Sequence, residues 1–112
     1  MQRQPKAFFD DILEAIRKIE KYSKNLSLDK LKKDEMIQDA IIRNLEIIGE
    51  AVKNIPVAVK DENPEIEWKK ISGLRDILIH TYFGIDLEII WGIIAEKLPP
   101  LKKKVLKLIE SG

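Results

Sequence analysis

Cysteine is absent from this 112-residue chain, which excludes a disulfide framework and a thiolate zinc site. Histidine occurs once, as His80, and one imidazole is too few for a transition-metal centre built wholly from protein ligands. No run approaches the roughly 18 consecutive apolar residues that a membrane span requires, and Met1 to Asp10 contain no apolar signal segment. A soluble, cytoplasmic protein without a membrane partner is therefore expected. An excess of one charge is also missing: 20 Lys and Arg face 19 Asp and Glu, so the molecule as a whole is no electrostatic magnet for nucleic acid. The length suits one domain over residues 1–112, with a real but modest core.

Apolar residues at helical spacing fill most of the sequence. A first stripe runs through Phe8, Phe9, Ile12, Leu13, Ile16, Ile19 and Tyr22, three and four residues apart. Asn25 to Asp29 reads as a break in which Ser27 can cap a short turn. A second stripe, Met36, Ile37, Ala40, Ile41, Leu45, Ile48, Val52 and Ile55, stops at Pro56. A connector follows, with Pro64 placed for a helix start. A third helix is expected from about Glu65 to His80, and a last helical region from the natural N-cap Asp86 to about Glu110. Pro99 and Pro100 should kink or split that region, because each lacks a donor and clashes with the preceding turn. No alternating strand pattern competes. The expected fold is all-α, an up-and-down bundle of four or five helices.

Charge is unevenly spread. Residues 97–112 hold Lys97, Lys102, Lys103, Lys104 and Lys107 against Glu110 alone. Such lysines ordinarily complement the helix dipole and keep a face hydrated; contact with an RNA backbone is the alternative. Trp68 and Trp91 lie in apolar stripes and are read as core before they are read as base-stacking platforms.

The densest chemistry lies in Arg75-Asp76-Ile77-Leu78-Ile79-His80-Thr81-Tyr82. A guanidinium stays charged and grips phosphate with a fork of donors, and an imidazole both takes and gives a proton near neutrality. Together they suffice for phosphodiester chemistry without a metal or other cofactor. At about 100° per residue, Arg75 and His80 stand roughly 140° apart on a helix, whereas Arg75 and Tyr82 nearly share a face. To meet one phosphate, Arg75 and His80 need either a helix end near His80 or a second chain. The segment Phe83-Gly84-Ile85-Asp86 reads as a break.

Residues 68–91 resemble the HepT-type toxins of the HEPN superfamily. The likeness rests on Arg75, four residues, His80, one residue and Tyr82, then Phe83-Gly84-Ile85-Asp86 and Ile89-Ile90-Trp91. Asn44-Leu45-Glu46-Ile47-Ile48-Gly49-Glu50-Ala51 and Lys53-Asn54-Ile55-Pro56 are similar to that family's second helix. Asp76 stands where many relatives carry asparagine. The resemblance implies a toxin of a toxin–antitoxin pair, a metal-independent endoribonuclease with Arg75 and His80 catalytic. Asp76 can support the site by orienting His80, or be a plain helix-surface carboxylate, which is the more ordinary reading. The resemblance further implies AMPylation of Tyr82 by a partner nucleotidyltransferase antitoxin. The alternative is a non-catalytic helical subunit that binds a nucleotide or presents a substrate to a nucleotidyltransferase, using Arg75 only as an anchor.

Leu87, Ile89, Ile90, Trp91, Ile93, Ile94 and Leu98 cover more than half of a helix perimeter. A helix apolar nearly all round needs cover on two sides, more than so small a domain supplies. A homodimer is the expected answer, and its two-fold axis could bring two motifs into one groove.

Overall fold

The structure, a computed structural model, describes residues 4–80 and 86–111; for Arg75, Asp76, Ile77, Ile79, His80 and Ser111 it describes the backbone alone. The described residues form helices and their connections, as the periodicity predicts.

Helix α1 (Pro5–Ser23) opens on a proline, whose missing N–H costs nothing at a first turn. It buries Phe9, Ile12, Ala15, Ile16 and Ile19. The chain leaves it through Asn25 at φ 61°, the left-handed conformation that asparagine tolerates better than most residues. Ser27 accepts from the Lys30 N–H at 3.2 Å and caps α2 (Leu28–Lys33), as expected. Asp34 ends α2 and caps α3 (Glu35–Asn54), its carboxylate accepting from the Ile37 N–H at 3.0 Å. Pro56 follows α3 and cannot continue it.

The connector holds a short helix, α4 (Val57–Glu62), that the apolar pattern does not reveal because none of its residues is buried. Pro64 does not start the next helix. Asn63 first anchors a turn, its carbonyl accepting from the Ile66 N–H, and α5 (Trp68–His80) begins four residues beyond the proline. Asp86 caps α6 (Leu87–Gly92), accepting from the Glu88 N–H at 2.9 Å.

Pro99 and Pro100 neither end the helix nor stop its helical dihedrals. Residues Ile93–Lys97 form a wide turn of π geometry between α6 and α7 (Leu98–Ser111). The Leu98 N–H reaches back five residues to the Ile93 carbonyl. Widening that turn accommodates rings that would collide with a normal preceding turn.

Helix α3 packs against both α1 and α5, while α7 lies along α1 and α2 bridges α3 and α6. Ile12, Ile16, Ile19, Leu31, Ile41, Leu45, Ile48, Val52 and Val105 are wholly enclosed. Each such side chain contributes about 1.5–3 kcal/mol by leaving water. Among the described residues, no helix is long and apolar enough to cross a membrane.

Candidate active site

The motif occupies the C-terminal half of α5 and the link beyond it. Arg75, Asp76 and His80 all lie on α5, whose backbone remains helical through His80. Tyr82, the expected modification site, falls outside the described residues.

What holds α5 in place is well defined. Trp68 is buried at its start, and its indole N–H donates to the Asn63 carbonyl at 2.9 Å. It is thus a core anchor, as expected, and no stacking platform; Trp91 is half-buried against the same core. Ile66 and Leu78 are buried on either side of Arg75. The Lys104 ammonium donates to the Glu65 carbonyl at 3.0 Å and ties α7 to the approach to α5. Beyond the motif, Glu88 pairs with Lys32 at 3.4 Å, securing the start of α6 to α2.

Two of the C-terminal lysines therefore act within the fold. Besides Lys104, Lys102 reaches Glu20 of α1 at 3.0 Å. The plain reading of a hydrated lysine face is incomplete, because these ammonium groups cross to other segments.

A cleft of about 400 Å³ lies beside α5, floored by Ile71, Leu74, Ile93 and Leu101, with Lys70 and Lys97 at its edge. Lys70 faces Glu67 at 3.6 Å. Among the described residues, the ionisations most clearly displaced lie on the exposed side of α1. There a hydrogen bond from Arg17 at 2.6 Å holds the Glu14 carboxyl below its ordinary value and raises the guanidinium. Among the described residues, no three acidic or histidine side chains gather as a metal ion would require.

One polar residue escaped the reading of periodicity. Asn44 of α3 is buried, 6% exposed, among residues otherwise apolar. The available signal was an amide interrupting the helical row of Ile41 and Ile48.

An all-α bundle whose Arg75 and His80 lie on a helix packed against α3, in a sequence that reads Arg-x4-His-x-Tyr, has the features of a HEPN-type domain. The chain belongs to the family described as ribonuclease HepT-like, whose model matches residues 12–108. The expected enzyme class, ribonuclease, is the class of that family. A probable ribonuclease HepT of Thermococcus cleftensis is 44% identical over 108 residues, covering 96% of this chain and 98% of the relative. A candidate RNase of Caldanaerobacter subterraneus is 37% identical over 109 residues, with 97% of each chain covered. A Methanocaldococcus jannaschii protein, named for both a gamma-glutamylcyclotransferase and a candidate RNase, is 41% identical over 111 residues. That match takes in 99% of this chain but 50% of the relative, so the chain spans half the length of that protein. No solved structure matches the chain.

Proposed function

We propose that this chain is a single-domain, cytoplasmic, metal-independent endoribonuclease that acts as a homodimer and serves as the toxin of a toxin–antitoxin pair. The observation that carries the reading is the combination of Arg75 and His80 on α5 with membership of a ribonuclease family. His80 removes the proton of a ribose 2′-hydroxyl, or returns one to the departing 5′-oxygen. The 2′-oxygen bonds to phosphorus as the bond to the 5′-oxygen breaks, leaving a 2′,3′-cyclic phosphate and a 5′-hydroxyl. Arg75 holds the phosphate and stabilises the charge that grows on it. DNA is spared because it has no 2′-hydroxyl. Asp76 has a supporting role, orienting His80.

Helical geometry through His80 separates the Arg75 and His80 positions by roughly 140° around α5. A second protomer across a two-fold axis resolves this by contributing its own motif to a shared cleft. Tyr82 is the acceptor for AMP from a nucleotidyltransferase antitoxin. The added bulk and phosphate charge two residues from His80 repel an RNA phosphate and fill the cleft.

Labelled RNA, incubated with a chelator present, should be cut by the wild type to cyclic-phosphate ends. Arg75→Ala and His80→Ala should each lower the rate by about 10²–10³ or more while melting like the wild type. Cleavage by His80→Ala at the wild-type rate would overturn the catalytic reading. With the cognate nucleotidyltransferase, ATP and Mg²⁺, the protein should gain mass in AMP units and lose activity, whereas Tyr82→Phe should escape both changes. Label on another residue would refute control at Tyr82 and leave the nuclease reading standing.

A further inference from the structure

The cleft beside α5 has no part in the mechanism proposed above, yet it adjoins the residues that carry it. Its floor is Ile71 and Leu74 of α5, Ile93 of the wide turn and Leu101 of α7. Leu74 directly precedes Arg75 in the chain, so their Cα atoms are about 3.8 Å apart. One wall is the π turn Ile93–Lys97, a geometry that recurs at functional sites. Its volume of about 400 Å³ is that of a small-molecule site. A single flat group fits such a space better than a helix about 10 Å across.

The charges on the rim differ in how they are engaged. Lys70 faces Glu67 at 3.6 Å, and Lys104 is tied to the Glu65 carbonyl at 3.0 Å. Glu96 and Lys97 are exposed at the edge, and neither side chain has a partner among the described residues. An apolar floor flanked by a free acceptor and a free cation suits a ligand of matching parts. Such a ligand has apolar faces, N–H donors on one edge and an attached anion. A nucleotide has all three.

We propose that this cleft is a subsite for one base of the RNA, beside the phosphate that is cut. The base lies on Ile71, Leu74 and Ile93, its exocyclic amine donates to the Glu96 carboxylate, and Lys97 holds its phosphate. The inference rests on the ribonuclease reading and adds a sequence preference to it. Adenine, cytosine and guanine carry an exocyclic amine, whereas uracil does not, so uracil is disfavoured at this position.

Two measurements test the subsite, one of them independent of cleavage. In the first, AMP, CMP and UMP are titrated separately while methyl resonances are followed by NMR. The methyls of Ile71, Leu74 and Ile93 should shift with AMP and CMP. UMP should need about 10-fold more nucleotide for the same shift, the discrimination of one charged hydrogen bond. In the second, RNAs that differ at one base beside a single cleavage site are compared. Uracil there should lower kcat/KM about 10-fold in the wild type, and Glu96→Ala should abolish that difference. Lys97→Ala should raise KM for every RNA, keep kcat and the base preference, and reduce the salt slope by about 1. Both side chains are exposed, so each variant should melt like the wild type.

Methyl shifts that ignore nucleotide overturn the subsite, and shifts that follow protein concentration instead assign the cleft to a second copy. A wild type indifferent to uracil, or a preference that survives Glu96→Ala, overturns it while the nuclease reading stands. A wild type that cuts no RNA yet shows the AMP and CMP shifts refutes the nuclease reading and keeps the cleft as a nucleotide site.

Discussion

The facing rows of helices α1 and α3 are sealed against each other, whereas the apolar residues of α6 are only partly covered. Ile12, Ile16 and Ile19 of α1 meet Ile41, Leu45, Ile48 and Val52 of α3 in a wholly enclosed core. Across α6, Ile90 is buried, Leu87 and Trp91 are half-covered, and Ile89 is 61% exposed. The inward-facing apolar residues of α1 and α3 find their cover within the chain, Met36 at the start of α3 being 83% exposed; on α6, among the described residues, Ile89 is left open in the middle of the helix. Stability is concentrated in the first region, and α6 is the face our proposed dimer would use. The motif helix leans on α3, and α6 is the next described helix after it in the chain.

The sharpest way to break this contrast is to damage each region in turn. Ile48→Ala leaves a cavity in the sealed region and should cost about 2–5 kcal/mol in chemical denaturation. A cost below about 1 kcal/mol would mean that the α1–α3 contact is not the stable centre. Ile89→Asp should leave folding within about 0.5 kcal/mol, as exposed substitutions do, yet shift sedimentation from dimer to monomer. An undisturbed dimer would remove α6 from the proposed interface. Ile90→Asp cannot serve as that probe: Ile90 is 2% exposed, and a carboxylate there should unfold the chain.

Smaller effects sharpen the comparison at the helix ends. Asp34→Ala removes the cap of α3 and should cost about 1 kcal/mol. Arg17→Ala removes a fully exposed ion pair with Glu14 and should not measurably alter the melting temperature at neutral pH. Because the Glu14 carboxyl is held below its ordinary value, any contribution exists above the unfolded pKa. It fades as pH falls through the folded one. A pair whose loss mattered most in acid would contradict that sign.

The bundle and its punctuation were legible in the residue order because their causes act within a turn or two. Ser27 and Asp86 cap because a short oxygen-bearing side chain reaches an N–H two or three residues ahead. The long stripes read as helices because the 3.6-residue period survives whatever packs against it. The candidate site was legible by residue type and spacing, with Arg75 and His80 on α5 as expected. Helix α4 was hidden, having no buried face to mark it.

Other properties depended on neighbours distant in the chain. Periodicity counted Ile89 and Ile90 alike, but packing buried one and left the other in water. The lysine run looked like a wet tail until α7 was laid along α1, giving Lys102 the Glu20 carboxylate, and Lys104 the Glu65 carbonyl in the connector before α5. Pro99 and Pro100 demanded a local disturbance, but whether it became a break or a widened turn was settled by the packing that holds Leu98 and Leu101 in the core. The amide of Asn44 was visible as a letter, while its enclosure between packed helices was a tertiary fact. Hydrogen bonds within a turn are specified by adjacent residues; burial and long-range pairing are specified only when separate helices meet.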